Sequence, residues 1–190
     1  MRTFISINPD KSTKDLILEV QNDLKQKLSA VNKDLLSTVK WEPKDKFHIT
    51  LFFIGDTEER SVENIIQILN DKDNHSVTGK ISLTADSISA FPKLKYPRVI
   101  FLSLLNEDGN LFRLSEFVNR SMGSLGINSD KTFHPHITLG RVRRDRKISL
   151  SGFDLNIKNV FSFDVKNFFL MESKLKSSGS EYSVVKEFNI

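Results

Sequence analysis

One tetrapeptide, His-Ile-Thr-Leu, occurs twice in this chain of 190 residues, at 48–51 and at 136–139. Both copies lie in apolar, β-branched runs that predict strands. Side chains alternate between the two faces of a strand, so each histidine shares a face with the threonine two positions later. If the two strands lie side by side, two imidazoles and two hydroxyls surround one small polar volume.

The repeated motif supplies the groups that hydrolysis of a phosphodiester needs when no metal takes part. One histidine can activate water and the other can protonate the leaving oxygen, because imidazole titrates near neutral pH. The hydroxyls of Thr50 and Thr138 can stabilise the phosphate oxygens as charge develops on them. We therefore predict His48 and His136 as a catalytic pair. A single copy of the motif would more often be packing chemistry, and the repetition argues against that interpretation.

A metal site is an alternative for the second motif. His134 and His136 have a spacing that is common among metal ligands, and His48 or Asp130 could complete such a site. The first motif, however, offers no matching carboxylate or second histidine. An outer position for His134, without a catalytic role, is the favoured interpretation.

Arg141, just after the second motif, is a candidate for binding the phosphate, because a guanidinium pairs with phosphate through two hydrogen bonds. Simple alternation places it on the opposite face from His136, although a bulge at Gly140 could restore it. A solvated arginine at the strand end is the alternative. The run 141–147 holds five basic residues and one acid, which suits electrostatic steering of RNA and equally suits an exposed loop.

Composition excludes several classes of protein. The chain contains no cysteine, so disulfides, thiolate metal sites and cysteine nucleophiles are excluded. The absence of a phosphate-binding P-loop or a dinucleotide fingerprint predicts no cofactor. No apolar run approaches a membrane span and the N-terminus does not resemble a secretory signal, so we expect a soluble cytoplasmic protein. The aromatic residues are expected in the core, with Phe47 and Phe133 as candidates for stacking on a base.

Hydrophobic periodicity predicts alternating strands and helices. Helices are expected to begin at Ser12 or Thr13, at Thr57 and at about Asn110, the first with its apolar stripe starting at Leu16. Strands are expected at 3–7, 39–41, 80–91, 98–105, 160–171 and 182–188, besides the two motif strands. Polar loops are expected at 71–76, where His75 has no assigned role, and a turn at 177–180. The pattern indicates two similar halves of one domain, 1–190, each donating one motif strand.

Over essentially its whole length the chain resembles the 2H phosphoesterase superfamily. Within that superfamily it is most similar to the RNA 2′,3′-cyclic phosphodiesterases, also called 2′-5′ RNA ligases. The similarity rests on residues 47–55 and 133–141, which match the family's paired His-x-Thr segments, and on the closing pattern at 170–182. Glu42, which follows Trp41, departs from the family, where an apolar residue is more usual. We expect this departure to affect only its loop.

The resemblance implies an α+β, bilobal fold with internal pseudo-duplication. Two antiparallel sheets would flank a central basic cleft, with helices on the outside. It implies that His48 is the general acid that protonates O3′ and that His136 is the base that activates water. Thr50 and Thr138 would then hydrogen-bond the phosphate oxygens, and Arg141 would help to bind the phosphate.

The resemblance also implies an activity, the opening of RNA 2′,3′-cyclic phosphate ends to 2′-phosphomonoesters without metal or cofactor. Some family members join RNA ends in a 2′-5′ linkage by the reverse reaction. The expected partner is RNA with cyclic phosphate ends, tRNA fragments included, and a monomer is the expected state. Two other hypotheses stay open: another 2H activity, on small cyclic nucleotides or 2′-5′ oligonucleotides, and an RNA-binding module without turnover.

Overall fold

The two copies of the motif lie in two different antiparallel β-sheets. The structure is a computed structural model that describes residues 1–70, 77, 79–129, 131–177 and 179–190. Its strands are β1 (Arg2–Ile7), β2 (Val39–Trp41), β3 (Ile49–Asp56), β4 (Ile81–Phe91), β5 (Val99–Leu105), β6 (His136–Val142), β7 (Asn156–Val165), β8 (Asn167–Lys176) and β9 (Gly179–Asn189). The four-stranded sheet has the order β3-β1-β8-β9, and the five-stranded sheet has the order β2-β6-β5-β4-β7. The first motif strand is β3 and the second is β6, and the two strands contact each other.

The helices are α1 (Lys11–Val31), α2 (Asp34–Thr38), α3 (Glu59–Leu69) and α4 (Asn110–Ser124), with a 3₁₀ turn at Lys44–Lys46. This mixture of helices with two antiparallel sheets confirms the predicted α+β class. Within the described residues, no helix is both long enough and apolar enough to cross a membrane.

Helix α1 begins and packs differently from the prediction. Its N-cap is Asp10, whose carboxylate accepts a hydrogen bond from the Thr13 amide at 2.7 Å, so neither Ser12 nor Thr13 is the cap. Leu16, expected in the core, is 39% exposed. The first half of the buried stripe is displaced by one residue, to Thr13, Ile17 and Gln21, whereas Leu24 and Leu28, which follow from Leu16 at the predicted spacing of four, are buried. A glutamine therefore occupies the middle of an otherwise apolar face.

Thr57 does not cap helix α3, as the sequence predicted. Its hydroxyl lies 2.6 Å from the Thr3 hydroxyl and donates to the Gly55 carbonyl at 3.0 Å. Glu58 is the N-cap, and its side chain makes no capping hydrogen bond. The helix still buries Leu69 on its predicted apolar stripe, so this face of α3, not the cap, fixes its position.

The single strand predicted at 160–171 is two strands. The chain leaves the five-stranded sheet after β7, which pairs with β4, and enters the four-stranded sheet as β8, which pairs with β1. A long β-branched and aromatic run cannot reveal this change, because both strands have the same composition. The hairpin from β8 to β9 closes where the turn was predicted, with Lys176 opposite Gly179. Ser178 of that turn and the loop 71–76, which contains His75, lie outside the described residues.

Candidate active site

His48 lies immediately before β3, and its ring is fixed by hydrogen bonds at both nitrogens. Nδ1 lies 2.7 Å from the Lys46 carbonyl oxygen, and Nε2 lies 3.1 Å from the Thr50 hydroxyl. A carbonyl can only accept, so Nδ1 carries the proton of the neutral ring. Nε2 is then the basic nitrogen, next to the hydroxyl of the same motif.

His136, the first residue of β6, is fixed in the same way. Its Nδ1 donates to the carbonyl of His134, which lies 2.7 Å away. In both motifs, therefore, the carbonyl two positions before the histidine selects the tautomer. In each ring Nε2 is then the nitrogen that can exchange a proton with a ligand, as acid–base catalysis requires, and in His48 it lies beside the Thr50 hydroxyl.

Both motif strands also contain a β-bulge at the leucine of the motif. Thr50 and Phe52 pair with consecutive residues of β1, so Leu51 has no register partner in that strand pair. The same shift between β5 and β6 leaves Leu139 without a register partner. Each bulge inserts one residue and so reverses the alternation of the side chains that follow it. The chain thus repeats an irregularity as well as a motif, which supports the predicted pseudo-duplication.

The bulge at Leu139 brings Arg141 to the face of the strand that carries His136. Simple alternation predicted the opposite face, and the irregularity that corrects it lies one residue before the predicted position at Gly140. The charge of Arg141 lowers the pKa of both His48 and His136. Its positive charge therefore acts on both rings, in addition to the larger effect of their burial.

Gln21 of helix α1, which is only 1% exposed, holds this bulge. Its side-chain Nε2 donates to the carbonyls of Leu139 and Glu42, at 2.8 Å in each case. The amide of Glu42 donates to the same Leu139 oxygen at 3.0 Å. Lys25 donates to the side-chain oxygen of Gln21 at 2.7 Å and so fixes the orientation of its amide. The polar residue on the apolar stripe of α1 was the sequence signal for this role.

Each catalytic candidate also packs against two aromatic rings. The ring centroid of His48 lies 5.3 Å from that of Phe4 and 5.4 Å from that of Tyr182. His136 has corresponding neighbours, at 5.3 Å from Phe91 and 5.2 Å from Phe101. These contacts take both imidazoles partly out of water while leaving one edge open.

This burial lowers the pKa of both rings below the ordinary value of 6.5, because desolvation disfavours the charged form. The hydrogen bonds to backbone carbonyls oppose the shift, whereas the charge of Arg141 reinforces it. The charge of His136 also lowers the pKa of His48, so protonation of one ring discourages protonation of the other. When only one of the two rings is protonated, that ring can act as a general acid and the neutral ring can act as a general base.

Two grooves reach the histidines from different directions. One groove is lined by residues of both motifs together, Thr50 from the first and His136 from the second. Its other lining residues include Phe53, Asn119, Lys131 and Phe133. The other groove reaches His48 and is lined by Phe4, Asn8, Lys14 and Tyr182 among others. Thr50 and His136, which are 86 positions apart in the chain, thus share one surface.

The arrangement offers no metal site among the residues that the structure describes. Nowhere in that part of the chain do three or more His, Asp or Glu side chains come close enough together to hold an ion. His134 lies beside Phe91, with 5.7 Å between ring centroids, and Asp130 lies outside the described residues. Phe47 borders the groove at His48 but is only 1% exposed, so its ring is not open for stacking on a base. Phe133 lines the other groove.

A family model described as LigT like Phosphoesterase matches residues 7–101, which is half of the chain. This chain belongs to the LigT-like phosphoesterase family. The match includes the first motif, and in the second motif, in the other sheet, Nδ1 of the histidine contacts the backbone carbonyl two positions earlier as it does in the first.

Curated relatives of this LigT-like phosphoesterase cover almost its whole length. A protein of Methanocaldococcus jannaschii named RNA 2′,3′-cyclic phosphodiesterase is 28% identical over 191 residues, which is 99% of this chain and 100% of the relative. A protein of the same name from Archaeoglobus fulgidus is 29% identical, with 99% of each chain covered.

Solved structures support the fold independently. The TM-score is 0.74 to a protein of Thermus thermophilus, at 24% identity, with 100% of this chain and 97% of the other covered. It is 0.71 to E. coli LigT in its apo form, at 19% identity, with 99% and 96% covered. Both antiparallel sheets of this phosphoesterase are therefore a known architecture.

Several residues of the phosphoesterase site were not predicted as site residues. Tyr182 appeared only in the closing pattern, and Lys14, whose charge lowers the pKa of His48, had no signal in the sequence. Glu42 reaches beyond its loop, contrary to expectation. Burial raises the pKa of its carboxyl and Arg141 lowers it, and its charge in turn raises the pKa of Tyr182. Glu42 thus adds a carboxylate to the surroundings of Arg141.

Proposed function

We propose that this phosphoesterase opens 2′,3′-cyclic phosphate ends of RNA to 2′-phosphomonoesters without a metal ion. The observation that carries the proposal is the groove shared by Thr50 and His136, to which both motifs contribute a polar side chain. The curated relatives, which are named RNA 2′,3′-cyclic phosphodiesterase, favour this substrate over other phosphodiesters.

In the proposed reaction His136 takes a proton from water as its oxygen attacks phosphorus. The bond from phosphorus to O3′ breaks, and His48 gives its proton to O3′, which leaves as the 3′-hydroxyl. The phosphate stays on O2′. Each transfer contributes roughly 10²- to 10⁴-fold to the rate, which is typical of a positioned acid or base. The fixed Nδ1 protons direct both transfers to Nε2.

Three further side chains would bind the phosphate in this mechanism. The hydroxyls of Thr50 and Thr138 donate to its non-bridging oxygens, and Arg141 supplies a fixed positive charge as negative charge accumulates on them. The bulge at Leu139 supports this role for Arg141, because it places the guanidinium on the face of His136.

Ligation follows from the same chemistry. A cyclic phosphate is an activated ester, so a 5′-hydroxyl of RNA in place of water attacks phosphorus and forms a 2′-5′ linkage without ATP. The protein is proposed to act as a single bilobal domain, 1–190. The monomeric state, tRNA fragments as substrates and a cytoplasmic location stay predictions.

The decisive experiment uses a short RNA with a 2′,3′-cyclic phosphate end, incubated with purified protein and EDTA. We expect a product that carries a 2′-phosphate and a 3′-hydroxyl. Turnover that appears only when a divalent ion is added would favour the metal interpretation. A panel with small cyclic nucleotides and 2′-5′ oligonucleotides tests the other 2H activities. RNA binding without turnover of any of these would favour the binding module.

A further inference from the structure

Two exposed loops beside the cleft are joined into one surface. The loop between β4 and β5, residues 92–98, is hydrogen-bonded both to the last residue of β6 and to the segment that follows it. The amide of Val142 donates to the Arg98 carbonyl at 3.0 Å, and the amide of Leu150 donates to the Leu94 carbonyl at 2.8 Å. We refer to residues 92–98 together with 141–147 as the basic surface.

The net charge of the basic surface is more positive than the net charge of the whole chain. This surface contains eight basic residues and one acid, a net charge of +7, whereas the chain totals +4, so the rest of the protein carries −3. The acid, Asp145, is paired with Arg146 of the same surface at 3.6 Å. The basic side chains are all exposed: Lys93, Lys95, Arg98, Arg141, Arg143, Arg144, Arg146 and Lys147. Such a concentration of positive charge attracts a polyanion.

Tyr96 is the aromatic residue of this surface that lies open to solvent, with 57% of its area exposed. The ammonium groups of Lys93 and Lys95 lie 5.4 and 5.5 Å from the centre of its ring. Its amide donates to the Lys93 carbonyl at 3.1 Å, which fixes the turn that presents the ring. A ring open to solvent beside two cations matches the way proteins bind single-stranded nucleic acid, in which a base stacks while lysines contact phosphates.

The basic surface begins at the active site. Arg141 is the register partner of Val99 on β5 and of Lys40 on β2. Tyr96 precedes Val99 by three residues, so the two Cα atoms are at most about 11 Å apart, even in a fully extended chain. A chain of a few nucleotides whose terminal phosphate lies at Arg141 can therefore reach Tyr96.

We propose that the single-stranded RNA that carries the cyclic phosphate leaves the cleft at Arg141, crosses the basic surface and stacks one of its bases on Tyr96. This inference rests on the proposed function and adds the path of the substrate. It implies that the protein distinguishes an RNA from a mononucleotide with the same reactive end.

The test compares two substrates, adenosine 2′,3′-cyclic phosphate and a ten-nucleotide RNA that ends in the same group. We expect Tyr96→Ala to lower kcat/KM for the RNA about 5- to 100-fold, which is the range for loss of one stacked base. The mononucleotide should react as with the wild type. Tyr96→Phe keeps the ring and should keep the activity on RNA.

The lysines are tested through salt dependence. Replacing both Lys93 and Lys95 by Gln should reduce the slope of log(kcat/KM) for the RNA against log[salt] by about 1.4, if each contacts one phosphate of a single strand. The control replaces Lys166 and Lys186 by Gln, which removes the same charge from outside the basic surface. That control should leave the slope as in the wild type.

Equal losses on both substrates would overturn the proposal, because they would indicate a general defect. Unchanged turnover of RNA in every variant would overturn it too, and if those variants lost binding to anionic phospholipid vesicles, the surface would serve a membrane instead. If the wild type turns over neither substrate, the proposed function fails separately. Fluorescence anisotropy of a labelled ten-nucleotide RNA with the same variants then decides whether RNA binds this surface.

Discussion

The side-chain amide of Gln21 donates a hydrogen bond to the Leu139 carbonyl, 2.8 Å away and 118 positions later in the chain. Leu139 is the bulged residue that reverses the alternation of β6, so this contact ties the direction of Arg141 to helix α1. The glutamine has no contact with the phosphate in the proposed mechanism. Its effect on the reaction acts through the backbone.

Removing the donor at this position should impair the reaction through Arg141. We expect Gln21→Leu to lower kcat/KM and, because two buried carbonyls lose a partner, to destabilise the fold by about 1–3 kcal/mol. In an Arg141→Ala background the same substitution should have no further effect on kcat/KM. Additive losses would show that Gln21 acts elsewhere. Ile17→Val, on the same buried stripe, controls for a general loss of packing.

Loss of either of the two histidines proposed to be catalytic should reduce turnover while the fold is kept. His48→Ala and His136→Ala should each lower kcat at least ~10²-fold, the lower end for a positioned acid or base. His134→Ala is the matched control, since it removes an imidazole from the same segment without removing Nε2 of the pair. Circular dichroism verifies folding in each case. Turnover close to that of the wild type in either motif variant would refute the assignment.

The lowered pKa values predict an acidic optimum. Because one ring must be protonated and the other neutral, kcat/KM should follow a bell whose maximum lies below pH 6.5, the ordinary histidine value. Arg141→Ala removes a charge that lowers both values, so the residual activity should peak at higher pH. Arg141→Lys, which keeps the charge, should peak near the wild-type pH. A profile that is flat across this range would contradict acid–base catalysis by the pair.

The same pKa shifts should make stability depend on pH. Both rings have a folded-state pKa below the unfolded value of 6.5, so below that pH the unfolded chain binds more protons than the folded one. Their contribution is complete above about pH 6.5 and is lost as the pH falls through the folded-state values. Denaturant unfolding should therefore show that the free energy of unfolding falls less between pH 7.5 and pH 5 in the double variant His48→Gln, His136→Gln than in the wild type. At pH 8 and above, a further rise in pH should change the free energy of unfolding of the wild type and of the double variant by the same amount.

Gly140 should not tolerate a side chain. A Cβ there would lie 2.6 Å from Cγ1 of Val39 and 3.2 Å from the Trp41 ring, so β2 would have to move away from the bulge. We expect Gly140→Ala to lower both the melting temperature and kcat/KM. Gly123→Ala is the control, because its nearest neighbour would be at 3.7 Å, an ordinary contact, on a helix where alanine is favoured. Equal melting temperatures for the two variants would contradict this account.

The sequence predicted what depends on local pattern. The two motif strands, the short strand β2 and the helix from Asn110 were found close to where periodicity placed them. The sharing of a face by His48 and Thr50 follows from alternation alone, and their 3.1 Å contact agrees with it.

The sequence pattern did not predict features that depend on contacts between distant segments of the chain. The bulge at Leu139 needs Gln21, which lies on another element, so alternation placed Arg141 on the wrong face. The side chains of Asp10, Ser12 and Thr13 can all accept a hydrogen bond from a backbone amide at the start of α1, and Asp10 is the one that caps the helix. The predicted strand 160–171 is interrupted at Lys166 because its first part pairs with β4 and its second part pairs with β1.

The two bulges present different residues at equivalent places. Where the second bulge turns Arg141 toward the cleft, the first turns Phe53, an exposed ring with the Arg2 guanidinium 5.0 Å from its centre. A cleft with two equivalent halves would accept a cyclic phosphate in either of two opposite orientations. The fixed cation on one side and the ring on the other remove that equivalence. In the proposed mechanism, this difference between the halves would distinguish O2′ from O3′ and leave the phosphate on O2′.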